Sequence, residues 1–336
     1  MSVDTSTTDQ TSALTEAEGL WFLDCGLIMQ AENTLFRVSG DLLELHSPIF
    51  RHMLSRSLPI TATMDMDGCQ LVMLPDTAAD ITVFLKALIY YDFFEPPPGR
   101  TTLAILSGVL RMSARYKVDA LYKRALAHLS AVHPTTLSGY KELEMRGGPN
   151  SLLGDLEEYS SSYIEVIVLA REFEIDWILP FAFYQLCRFA YEADVIEGPM
   201  TSDDKTRWVV GCRTLDGSEN SRILDFLWSP EYIQGCTWDK CIDYRSTCRK
   251  RADKRSRFDA DTSRILPLEV WTRTNWKGLD ACDVCLSEMK KAYGAAKKSF
   301  WSRLPEIFAL PKWSVLEKMK AEALKTCDES RPVGGT

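Results

Sequence analysis

Two short extended runs, Leu27–Ala31 and residues 34–39, are separated by only Glu32 and Asn33. A two-residue connection between β-prone runs is the spacing of a tight hairpin, whose turn geometry matches the twist of paired strands. A hairpin commits this part of the chain to a sheet, and a sheet must bury one face against something. The residues that follow supply the cover. Residues 40–45 and 47–54 read as two short helices, with Ser47 as N-cap and Pro48 at the first helical position, where its missing N–H costs nothing. A further strand is expected at 70–74. Pro75-Asp76-Thr77 stops it, and Asp76 or Thr77 can cap a helix whose apolar positions Ile81, Phe84, Leu85, Leu88 and Ile89 share one face. That helix ends before Glu95-Pro96-Pro97-Pro98-Gly99, Thr101 or Thr102 caps the next, and another covers about 118–130.

Pro134, Gly139, Gly147, Gly148 and Pro149 then mark a boundary. Beyond it the pattern turns helical: a pair at 163–173 and 177–191, with Pro180 tolerated in the first turn of the second. A polar, glycine-containing stretch at about 197–220 follows, then helices near 221–228, 237–257, 280–304 and 313–324. The expected fold class is α+β, a small N-terminal sheet with helices followed by an all-helical C-terminal region. The expected divisions are a disordered tail at 1–19, a module at 20–131, a linker at 132–160, helical regions at 161–230 and 231–327, and a tail at 328–336.

Composition narrows the function classes. A net charge of −8 repels nucleic acid and anionic membranes. The greasiest stretch, 163–191, is interrupted by Glu165, Arg171, Glu172, Glu174, Asp176 and Arg188, so no membrane span is expected. The first nineteen residues hold neither a basic residue nor an apolar run, so no secretory signal is expected there. Ten cysteines without an export signal read as reduced thiols in the cytoplasm or nucleus.

The order hairpin, two short helices, strand and several helices resembles the BTB/POZ fold. The matching residues are Leu35-Phe36-Arg37-Val38, Leu42-Leu43 and His46 through Leu54, with Ser47 and Phe50 at the family's helix start and buried aromatic. Ala114-Arg115-Tyr116-Lys117-Val118 with Leu121-Tyr122 is similar to the family's late helix-turn-helix. Many members carry a histidine and a basic residue after the Phe-x-Val strand, where this chain has Ser39-Gly40-Asp41. The remainder resembles basidiomycete-type BTB proteins with Trp-rich helices. Ala170-Arg171-Glu172, Trp177-Ile178-Leu179-Pro180, the Cys282-x-x-Cys285 pair and the 301–311 stretch carry that likeness. Residues 161–230 take the position of a BACK-type region. The resemblance implies a non-enzymatic interaction scaffold or adaptor, with partners that are proteins: a second copy, another BTB-binding protein or a cullin-type ubiquitin ligase. The candidate interaction residues are Trp21, Phe22 and Leu23, plus Ile49, Phe50 and Met53, of which the last three also suit a core.

No phosphate-cradling glycine motif and no H-E-x-x-H occurs, and no cofactor is expected. His46, His52, His128 and His133 all lie in the first 133 residues, so the C-terminal cysteines have no sequence-local imidazole. Cys236, Cys241, Cys248, Cys282 and Cys285 leave two alternatives open: a zinc site, or small apolar residues packed in a core. On one helix Cys241 and Cys248 lie about 10.5 Å apart along the axis, so at most one can join Cys282 and Cys285. The fourth ligand is then Cys236, a carboxylate or a thiol from elsewhere. Arg245, Arg249, Lys250, Arg251, Lys254, Arg255 and Arg257 make a basic run, read as a solvated helix face or, alternatively, as the nucleic-acid contact of a nuclear regulator. Trp177, Trp208, Trp228, Trp238, Trp271, Trp276, Trp301 and Trp313 are expected mostly in packing. A third possibility is an enzyme pocket built from Asp239, Asp243, Glu288 or the cysteines.

Overall fold

The computed structural model describes residues 14–55, 64–66, 68–154, 160–189, 192–227, 233–258 and 265–325. The chain divides into two compact units, with the boundary between His128 and Leu129. The fold is α+β, a small N-terminal sheet followed by a mostly helical region.

The first unit contains β1 (Thr15–Trp21), β2 (Leu27–Ala31), β3 (Thr34–Val38), α1 (Gly40–His46), α2 (Pro48–Leu54), β4 (Met64–Met66), β5 (Cys69–Leu74), α3 (Ala78–Ile89) and α4 (Leu103–Arg115). Helix α5 (Asp119–Val132) contains the boundary. Strands β2 and β3 form the antiparallel hairpin, from Leu27 opposite Val38 to Ala31 opposite Thr34. Glu32 enters the left-handed region at φ 50°, as tight hairpin turns require, and its carboxylate accepts the Ala78 N–H at 2.9 Å. Strand β5 joins β2 in parallel, β4 pairs with β5, and β1 adds to β3 in parallel, giving the order β1-β3-β2-β5-β4.

Residues 15–19 were expected in a disordered tail and instead belong to β1. Only Ala17 and Leu20 of that strand are buried, and Glu16, Glu18 and Gly19 erase the period-two signal. Pairing with β3 holds the segment in place of local pattern. Residues 1–13, the rest of that tail, and the 328–336 tail lie outside the described residues.

Ser47 joins distant parts of the first unit. Its hydroxyl accepts the Phe50 N–H at 3.1 Å, capping α2, and donates to the Tyr116 carbonyl oxygen. The Tyr116 ring stacks on buried Phe50 with centroids 4.3 Å apart, and its hydroxyl donates to Asp76, which also pairs with Arg115 at 2.9 Å.

The second unit is helical: α6 (Leu137–Met145), α7 (Ser160–Glu172), α8 (Leu179–Phe189), α9 (Glu192–Glu197), α10 (Ser202–Thr214), α11 (Asn220–Ile223), α12 (Cys241–Phe258), α13 (Arg273–Lys277), α14 (Asp283–Ile307) and α15 (Trp313–Leu324). Helix α8 is buried on every side from Leu179 to Cys187, with Leu179, Phe181, Ala182, Phe183, Tyr184 and Leu186 at zero exposure, and Arg188 near its end pairs with Glu269 at 2.9 Å. The expected linker at 132–160 holds α6, capped by Thr136 and anchored by buried Tyr140 and Leu143. The polar stretch at 197–220 is also helical. Thr201 caps α10, whose buried residues include Asp204, Trp208, Gly211 and Cys212. Asp204 is held by a bidentate pair with Arg171 at 2.8 and 3.1 Å, and Arg171 also reaches Asp176 at 2.9 Å. Gly211 reads as a breaker, yet its bare backbone lets the Phe308 ring close against α10. Among the described residues no helix is long and apolar enough to cross a membrane.

Two consequences are measurable. A Cβ at Gly211 would overlap the Phe308 ring, which is fully buried and stacked on Phe183 at 5.3 Å. Gly211→Ala is therefore expected to lower stability by about 1–3 kcal/mol, read as a lower urea midpoint. The second concerns His133, buried with Nδ1 donating to the Leu129 carbonyl at 2.8 Å. Burial pushes its pKa down from 6.5 to about 4, and Lys320 adds to the effect. The folded state thus holds the neutral ring while the unfolded chain takes a proton below about 6.5. The contribution is complete above pH 6.5 and falls as pH drops toward 4, by about 3 kcal/mol over the window. Urea melts from pH 7 to 5 should show this slope flattened in His133→Asn, and an unchanged slope would count against it.

Candidate functional site

The candidate interaction residues of the first unit separate by environment. Leu23, just after β1, is 73% exposed. Trp21 and Phe22 are half-buried, and Trp21 packs on a small cluster of Ile28, Leu35, Cys69 and Leu71. Phe50 is core, whereas Ile49 and Met53 are half-buried on α2. Strand β1 ends the sheet, so the main-chain groups on its side away from β3 carry no strand among the described residues.

Two of the four histidines are bound to backbone carbonyls. His128 Nε2 lies 2.7 Å from the Glu95 carbonyl, His133 is bound as above, and His46 and His52 are exposed on α1 and α2. Asp239, Asp243 and Glu288 are exposed, and Glu288 pairs with Lys291 at 2.7 Å.

The basic run departs from the solvated-face reading at two positions. Arg245 and Arg249 are 2% and 4% exposed, on the same face of α12 as Cys241, one and two turns further on. Arg249 approaches Asp225 at 3.7 Å. The signal was present as spacing: Cys241, Arg245 and Arg249 recur every four residues, the period of one helix face. Lys250 is exposed, and the side chains of Arg251, Lys254, Arg255 and Arg257 lie outside the described residues.

Among the tryptophans, Trp177, Trp208, Trp271 and Trp301 are buried, Trp238, Trp276 and Trp313 are half-buried, and Trp228 lies outside the described residues. Trp301 and Trp313 stack at 5.6 Å, and the Trp301 indole N–H donates to the Thr135 carbonyl at 3.1 Å.

The chemistry-bearing group of the second unit is a thiol cluster. Cys236, Cys241, Cys282 and Cys285 bring their sulfur atoms within 4.8 Å of one another. Cys248, two turns along α12 from Cys241, is not in it. Local structure explains the convergence. Gly235, at φ 84°, turns the chain so that Cys236 lies ahead of α12, and Cys241 is the first residue of that helix. Cys282 is the N-cap of α14, and Cys285 lies in its first turn. Cys241 and Cys285 are buried, while Cys236 and Cys282 are part-exposed.

The Cys282 N–H donates to Cys241 Sγ at 3.4 Å, and the Cys285 and Thr237 amides lie close enough to the Cys282 thiol to favour its charged form. Those two amides hold the Cys282 thiol down at about 6, whereas burial raises Cys241 and Cys285. All four residues offer a thiolate to one soft cation.

Compared with protein-family models, curated proteins and solved structures, the chain matches none of them.

Proposed function

We propose that the chain is a non-enzymatic interaction adaptor, that its first unit is a BTB/POZ-type module, and that β1 is the surface on which a second copy docks. The observation that carries this reading is the place of β1 at the end of the sheet, with Leu23 exposed beside it. Two copies related by a twofold axis would pair their β1 strands antiparallel, an isologous contact. In the register that sets Leu14 opposite Leu23, both exposed, Glu16 faces Trp21 and Glu18 faces Gly19. No glutamate then lies directly opposite another, and apolar groups close both ends of the ribbon.

The order of the hairpin, the α1–α2 pair and the β5 strand parallel to β2 supports the module assignment, as does the Ser47, Phe50 and Tyr116 junction. The commitment of His128 and His133 to backbone carbonyls supports a binding role over catalysis. Recruitment of a cullin-type ligase is the further partner class that the resemblance implies. The nucleic-acid alternative loses support because Arg245 and Arg249 are removed from the surface.

The test is the native mass by multi-angle light scattering across a dilution series. The 38.1 kDa chain should run as a dimer that dissociates on dilution, and Leu23→Glu, placed at an exposed residue that leaves the fold intact, should shift it to monomer. A monomer at every concentration would remove self-association from the reading.

A further inference from the structure

We propose that Cys236, Cys241, Cys282 and Cys285 form a structural zinc site that fastens the start of α12 to the start of α14, independently of the interaction reading above. Geometry comes first. A tetrahedral zinc with four thiolates at about 2.3 Å separates neighbouring sulfurs by about 3.8 Å. Cys282 Sγ and Cys236 Sγ are 3.8 Å apart, and every pair in the cluster is within 4.8 Å. The space enclosed admits one ion and leaves no room for the several metal and sulfide atoms of an iron–sulfur cluster. Enclosure size therefore leaves a single tetrahedral ion, and between zinc and a lone ferrous ion the higher affinity of Zn²⁺ for a given donor set decides for zinc. With all four positions taken by protein, the site is of the closed, structural kind.

Electrostatics agrees. Four thiolates around a divalent ion leave a net charge of −2, which needs nearby positive potential. Two helices present their N-terminal ends here, α12 through Cys241 and α14 through Cys282 and Cys285. An amide N–H, from Cys282, already donates to Cys241 Sγ at 3.4 Å. Neutral thiols packed as small apolar side chains would need no such donor.

The third argument is what holds α12 in place. Among the described side chains of α12, 241–250, Ile242 and Tyr244 are exposed and the buried face reads Cys241, Arg245, Arg249. Over those turns no large apolar side chain is buried, and burial alone docks such a stretch poorly. A metal ligand in its first turn supplies the missing anchor, and the second pair of ligands lies on the long, well-packed α14.

The experiment uses the full chain purified under reducing conditions. Elemental analysis should find about one zinc per chain. Replacement by Co(II) should produce the near-ultraviolet thiolate charge-transfer band and the strong visible bands of a tetrahedral thiolate site. Cys282→Ser with Cys285→Ser should lose both metal and bands, whereas Cys248→Ser, outside the cluster, should keep them. If the double variant fails to fold, the wild-type chain decides: stripped of metal and given Co(II), it either shows the charge-transfer band or it does not. A metal-free protein with four titratable thiols, a disulfide between any two of the four, or iron in place of zinc would each overturn the proposal.

Discussion

The second unit is organised by a helix that has no solvent face. Leu179, Phe181, Ala182, Phe183, Tyr184 and Leu186 of α8 are all at or near zero exposure, so neighbours must cover it on every side. Phe183 stacks on Phe308, Tyr184 meets Phe300 at 5.9 Å, and Phe181 lies 6.3 Å from Trp301. Each large apolar side chain so buried contributes about 1.5–3 kcal/mol. The Tyr184 hydroxyl is not stranded by this, because it accepts the Leu268 N–H at 3.1 Å. All three of these aromatic partners come from the 300–308 end of α14 and its C-cap, so α8 positions that end of the long helix.

Toward the other end of α14, Met289 is buried and Tyr293 packs against Phe226 and Trp276. In its first turn the buried side chain is Cys285, and what α12 brings to it is Cys241 rather than a large apolar group. Surface ion pairs contribute about 0–1 kcal/mol each and cannot replace a core. A structural zinc in small domains supplies on the order of 10 kcal/mol or more of apparent folding free energy. That magnitude is what makes a tetrathiolate centre a sufficient anchor for α12.

How much of this was legible in the sequence follows the same physics. The hairpin, α1, α2, α3, α4 and α15 were readable because turn length, caps and apolar period all agree locally. Strand β1 was not, since Glu16, Glu18 and Gly19 mask a segment held by pairing with β3. Helix α10 was masked by Gly211 and by Asp204, a glycine that admits Phe308 and a carboxylate committed to Arg171. The set of cysteines that could share an ion was limited by helical rise alone, which separates Cys241 from Cys248. Their convergence was not legible, because Cys241 and Cys282 are 41 residues apart and only tertiary packing joins them.

The two proposed features differ in what their physics permits. An edge strand is an open valence: beyond the Gly19 carbonyl, which accepts the Tyr90 hydroxyl at 2.6 Å, the outer side of β1 pairs with no strand among the described residues, and specificity must come from a few side chains such as Leu23. A four-thiolate centre is the reverse, since every ligand position is filled and nothing is left for substrate or water. Chemistry at the cysteines would need one ligand to leave, and in the proposed centre the part-exposed Cys236 and Cys282 are themselves held as ligands. On these two proposals the thiol centre belongs with the structural parts of the molecule, and recognition falls to the strand edge of the first unit.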